Sequence, residues 1–115
     1  MTAQSISTTN HIDVVIQNKR TRALIDTGSH YNCLNADFAK RSHITISPFV
    51  SSLPKLSSAN GTPLSVIGSA IVSVSIAGYS CSVDFIVIDG LHHSVIFGLD
   101  ASMALLSTFQ LLLYL

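Results

Sequence analysis

The sequence predicts a mainly β domain whose strands close on themselves or stack as a sandwich, with one or two short helices. Three observations carry that expectation. Turn signals recur at short intervals along the chain. Serine alternates with apolar residues in "SAIVSVSIAG", and "SCSVDFIVID" repeats the pattern before becoming continuously apolar, the period of strands with one face inward. Helix signals are confined to two short stretches. Apolar residues form 48% of the 115 residues and charged residues only 10%, a balance suited to burying much of the surface in a core or an oligomer. The length holds one domain, so any active site comes from this domain or is completed by a partner.

In chain order, residues 1–11 read as a flexible, polar N-terminal segment and 12–115 as the single domain. "HIDVVIQ" reads as a strand, "NKRT" as a polar turn and "RALID" as a returning strand, an opening hairpin. Asn35 is placed to cap a helix over about 36 to 42, with Asp37 in the first turn and Lys40-Arg41 in the last, as the helix dipole prefers. From Ile44 to Pro54, two prolines and several serines mark a loop with at most one short strand. In "KLSSANGTPLSVIG" the Asn60-Gly61 pair lies between two extended runs, a hairpin signal because both residues tolerate positive φ. Pro63 cannot donate to a ladder, so this hairpin is expected to keep a free edge and project from the sheet. Two antiparallel strands follow about a turn at Gly78, then a short strand in "HHSVIFG". Asp100 is placed to cap a second helix over about 101 to 108, and "FQLLLYL" reads as a buried or partner-paired terminal strand.

Composition also excludes functions. Six basic residues balance six acidic ones, and the single basic cluster, Lys19-Arg20-Thr21-Arg22, reads as a solvated hairpin end, so nucleic acid is not expected as a partner. Cys33 and Cys81 are too few and too far apart for a zinc site and read as buried free thiols of a reducing compartment. His92 and His93, if on a strand, point to opposite faces and cannot share a metal, while His11 and His43 read as surface residues. No metal and no cofactor is expected. The start of the chain lacks the pattern of a secretion signal, which makes the expected location cytoplasmic. The apolar C-terminal stretch falls short of a bilayer span, so no membrane partner is expected. Asn60-Gly61-Thr62 matches a glycosylation acceptor, a triplet common by chance.

The chemistry points to "ALIDTGSHYNCL", where an apolar strand runs into Asp26. A carboxylate there faces partial desolvation unless backbone amides hydrogen-bond it. Gly28 lets the backbone fold close and present its N–H, and the Thr27 hydroxyl offers a second anchor. Alone, Asp-Thr-Gly is far more often only a turn that caps a strand.

Context adds weight. "LIDTGS", the Asn-Gly hairpin after it and "VIFGLD" near the C-terminus occur in the order of a retropepsin. Over residues 12 to 110 the chain resembles the protease domain of retroviruses and LTR retrotransposons, most nearly the retrotransposon type, since Leu99-Asp100 follows the second-motif glycine where many retroviral members carry a basic residue; the flap tip departs from retroviral flaps in having one glycine where they have several. The resemblance implies a closed-barrel acid-protease fold with a flap hairpin. It implies that Asp26 is the catalytic aspartate, that Thr27 grips the opposite subunit and that Gly28 supports the carboxylate. It further places Ser29 and His30 beside the substrate cleft, Ala59, Asn60 and Gly61 at the flap tip, Ser94 and Ile96 near a substrate pocket, and Gly98 where the second loop packs under the catalytic one. This class needs two aspartates about one water and the chain has one Asp-Thr-Gly, so a homodimer acting on a polypeptide substrate is implied. The implied function is an aspartic endopeptidase processing a retroelement polyprotein. Two alternatives remain: a catalytically inactive dimerisation or peptide-binding module, and a truncated retrotransposon remnant. A two-lobed pepsin-like half is excluded by length unless the chain is a fragment.

Overall fold

The computed structural model describes residues 10–48, 57 and 61–104. The expectations for Ala59, Asn60, the end of the second helix and "FQLLLYL" lie outside those residues.

The first hairpin pairs β1 (His11–Ile16) with β2 (Lys19–Ile25) in antiparallel register from His11↔Leu24 to Ile16↔Lys19. Its turn is shorter than the expected "NKRT". Gln17 and Asn18 take φ values of 52° and 64°, the two-residue geometry whose twist matches the flanking strands. The basic cluster therefore lies on β2 itself, with Lys19, Arg20 and Arg22 outward and Thr21 buried.

β3 (Cys33–Asn35) leads directly into α1 (Ala36–Arg41). The Asn35 side-chain oxygen accepts the Phe38 N–H at 2.8 Å, the expected cap, and its amide group donates to the Leu91 carbonyl at 2.7 Å. Ala36, Phe38 and Ala39 form the buried face of α1.

β4 (Ser65–Ile76) and β5 (Tyr79–Asp89) form the longest ribbon, joined at Ala77 and Gly78, both with positive φ. β4 begins earlier than the alternating serines indicate, because Ser65–Gly68 also pairs with β5 across a bulge between Val66 and Gly68. There the chain passes so close to the 44–48 loop that a Cβ on Gly68 would lie 2.5 Å from the Ser47 carbonyl oxygen. Ser47 forms an isolated antiparallel bridge with Ser69.

β6 (Val95–Phe97) completes a closed barrel in the order β1-β2-β6-β3-β5-β4, with β4 returning to β1 at Val15↔Ser75 and Ile16↔Val74. Inside lie Val14, Ile16, Leu34, Phe85, Val87, Val95 and Phe97, all essentially without solvent contact. Burying each of these side chains contributes on the order of 1.5–3 kcal/mol. The mainly β closed fold is thus as expected, with residues 99–104 forming the start of the second helix. That helix begins before the expected cap. The Gly98 carbonyl accepts the Ser102 N–H at 3.0 Å, so Gly98 holds the cap position and Asp100 sits in the first turn, where its charge still favours the dipole.

Because Asn35 serves α1 and the Leu91 segment at once, Asn35→Ala should destabilise the fold by about 1–3 kcal/mol in denaturant titration. Asn35→Asp, which keeps the cap acceptor and loses the donor, should fall between the two.

Candidate active site

β2 and β6 run parallel in the register Ala23↔Val95, Leu24↔Ile96 and Ile25↔Phe97. The pairing runs one step further, the Asp26 N–H donating to the Phe97 carbonyl at 2.9 Å. The ladder ends there, which leaves Asp26 exposed at the rim of the barrel.

A tight turn follows. The Ser29 N–H donates to the Asp26 carbonyl at 3.0 Å, and the Gly28 N–H donates to Asp26 Oδ1 at 3.1 Å. The glycine therefore presents its amide to the carboxylate as expected, whereas the exposed Thr27 makes no hydrogen bond with any described residue. The Ser29 hydroxyl is turned into its own loop, donating to the Tyr31 carbonyl at 2.8 Å and accepting the Tyr31 N–H at 3.2 Å. His30 and Tyr31 are exposed beside it.

The loop after β6 packs under this turn. A Cβ on Gly98 would lie 2.6 Å from the Tyr31 carbonyl oxygen and 2.8 Å from that of Ser29. Both are backbone atoms that cannot swing aside, so only glycine fits. The Leu99 N–H donates to the Ser29 carbonyl at 2.9 Å, and the Gly98 N–H to Asn32 Oδ1 at 2.8 Å. Asn32 also donates from Nδ2 to the Asp84 carbonyl at 3.0 Å. Reading the sequence alone missed Asn32. Its signal was an amide, able to donate and accept at once, placed immediately before a strand that follows the Asp26 turn.

Ile96, between the inward Val95 and Phe97, faces the other side of the sheet and packs with Cys33, Ile86, Ile88, Leu64, Val66 and Leu91. This apolar patch joins β6 to the strand descending from Gly61. Gly61 is exposed with φ of 86°, and Ser57 bridges Pro63 in antiparallel fashion. Ser94 is half-buried and its carbonyl accepts the Asn35 N–H at 3.0 Å.

Three expectations are corrected. Cys81 is exposed near the β4–β5 turn, where Tyr79 to Ser82 lie beyond the packed core. His92 and His93 lie in a bend before β6, not on a strand. His11 is half-buried, its Nδ1 enclosed without a partner among the described residues and its ring 6.0 Å from that of His93. Among the described residues no group of three or more His, Cys, Asp or Glu side chains could hold a metal ion, and no helix is long and apolar enough to cross a membrane.

A family model for gag-polyprotein putative aspartyl proteases matches residues 12–101. The chain belongs to this family. Among solved structures, the EIAV protease complexed with the inhibitor HBY-793 is similar at 19% identity and a TM-score of 0.65, over 83% of this chain and 86% of that one. The retroviral protease-like domain of Ddi1 from Leishmania major aligns at 19% identity and a TM-score of 0.58, over 79% and 72%. A retropepsin-like aspartic protease from Rickettsia conorii aligns at 16% identity and a TM-score of 0.51, over 76% and 65%. At these identities the likeness establishes a shared retropepsin-like fold. No curated protein sequence gives a significant match.

In this aspartyl protease domain, burial and then the negative field of Asp26 push the Cys33 thiol up to about 11. At pH 8 roughly one Cys33 in a thousand is then a thiolate, the reactive form. A thiol alkylating agent at pH 8 should label the exposed Cys81 at least about 100-fold faster than Cys33, read by peptide mass mapping, and denaturant should erase the difference. Equal labelling in the folded chain would contradict this environment.

Proposed function

We propose that this chain is the homodimeric aspartic endopeptidase of a retroelement polyprotein, with Asp26 of each copy flanking one catalytic water. The observation that carries the reading is the placement of Asp26. Its carboxylate stands exposed at the barrel rim, anchored through Oδ1 to the Gly28 amide, and Oδ2 is uncommitted among the described residues. A turn that merely ended a strand would need no second loop fitted against it as closely as Gly98 is against the Ser29 and Tyr31 carbonyls.

The surroundings support a symmetric partner. Tyr31, Leu99 and Met103 are exposed large apolar side chains on the segments that frame Asp26, and Leu99 and Met103 lie one helical turn apart. Such a surface suits burial against a second copy of itself. The proposed role of Thr27, exposed and free to meet that copy, is to grip the opposite subunit.

Two carboxylates about 3 Å apart share one proton. The ionised member takes a proton from the water as its oxygen attacks the scissile carbonyl carbon, and the protonated member donates to the carbonyl oxygen. Collapse of the resulting diol breaks the C–N bond, with a proton passing to the amine nitrogen. The extended peptide lies along this loop, and Ala59, Asn60 and Gly61 are proposed to contact it. Ser29 and His30 border the cleft, Ile96 and its apolar neighbours receive a side chain, and Ser94 lies at the edge of that pocket.

On a peptide library from acidic to neutral pH, wild type should cleave and Asp26→Asn should lose at least about a thousandfold in rate while keeping its fold and dimer. Equal cleavage by both would refute the reading. Peptide binding and dimerisation without cleavage by either would favour a non-catalytic module.

A further inference from the structure

We propose that Asn32 is a positioning residue for Asp26, a role that rests on the aspartic-protease reading above. Three hydrogen bonds tie the 97–99 segment to the catalytic loop: Asp26 N–H to the Phe97 carbonyl, Leu99 N–H to the Ser29 carbonyl, and Gly98 N–H to Asn32 Oδ1. The first two are backbone to backbone and form with any side chains in place. The third is the only one that depends on a side chain.

That side chain is held from both ends. Its Nδ2 reaches the Asp84 carbonyl at 3.0 Å, while the Asn32 main-chain carbonyl accepts the Ile86 N–H at 2.8 Å. The orientation of the amide follows, since the oxygen must meet an N–H and the nitrogen a carbonyl. Asn32 thus sets the distance between β5, which is fixed by the barrel, and the Gly98 loop on which the Asp26 turn rests. It also satisfies an amide at the start of the second helix that has no partner within that helix.

Among the described residues the Asp26 carboxylate accepts one hydrogen bond, from Gly28 within the same turn. Among the described residues, the hydrogen bonds that tie that turn to the 97–99 segment run through Phe97, Ser29 and Asn32. In a dimer, loosening the turn displaces both carboxylates from the shared water, and a displacement near 1 Å can cost on the order of 100-fold in rate. Both arms of the Asn32 side chain are engaged by main-chain groups, the Gly98 N–H and the Asp84 carbonyl, so the loss is expected to fall on the chemical step.

The test compares wild type, Asn32→Ala and Asn32→Asp in peptide cleavage and in amide hydrogen exchange. Asn32→Ala should lower kcat by at least about 10-fold with KM within about 3-fold. Gly98 exchange should be at least about 10-fold faster, with Ile86, which bonds the main-chain oxygen of the same residue, still protected. Asn32→Asp keeps the acceptor for Gly98 and regains a donor towards Asp84 only when protonated, so its kcat relative to wild type should rise as pH falls. Unchanged kcat with faster Gly98 exchange overturns the positioning role alone. Equal acceleration at Gly98 and Ile86 with a matching loss of stability overturns it in favour of general destabilisation. A wild type that cleaves nothing overturns the enzymatic reading and this role with it.

Discussion

The parallel pairing of β2 with β6 is the constraint on which the rest depends. Two short strands distant in sequence leave the barrel at the same rim, so the turn after one and the loop after the other must meet. At that meeting the backbone atoms are too close for any residue but glycine at position 98. Closure of the sheet removes exposed edges and makes this rim rigid, which is what a carboxylate with a single local anchor needs from its scaffold. The same closure sends Val95 and Phe97 into the main core and Ile96 to the opposite face, so one three-residue strand serves both the fold and the patch beside Asp26.

Much of this was legible in the sequence wherever the signal was local. Asn35 caps α1 as its spacing indicates, Gly78 turns the long ribbon, and the apolar run ending at Asp26 is a strand running to the rim. The first turn was misread because Gln17-Asn18 lacks the glycine that usually marks positive φ, and the neighbouring cations resemble a loop. The second helix was placed too late because Asp100 is a good capping residue, whereas the packing of the two loops assigns the cap to Gly98. The order of strands around the barrel, with two parallel pairings between distant segments, leaves no local mark. Nor do the bonds of Asn32, which reach 52 and 66 residues along the chain.

Electrostatics at the rim are simple. Burial, and after it the negative field of Asp26, raises the proton affinity of the Cys33 thiol, which keeps that thiol neutral and apolar in the patch that Ile96 shares with Leu64 and Val66. A neutral thiol there behaves as a small hydrophobe. Exposed Tyr31, Leu99 and Met103, on the segments that meet at the Asp26 turn, add further apolar surface. An apolar frame around a lone carboxylate suits a site completed by a second copy, where water is largely excluded and two carboxyl groups compete for one proton.

The central claim, that each active site takes one Asp26 from each of two chains, is tested most directly by mixing. Wild-type and Asp26→Asn chains are unfolded together, refolded at fixed total concentration, and assayed across the mixing ratio. With random pairing and a site that needs both carboxylates, activity should follow the square of the wild-type fraction, so an equal mixture retains about a quarter. A linear dependence, with half the activity in the equal mixture, would show that one chain holds a complete site and would contradict the account.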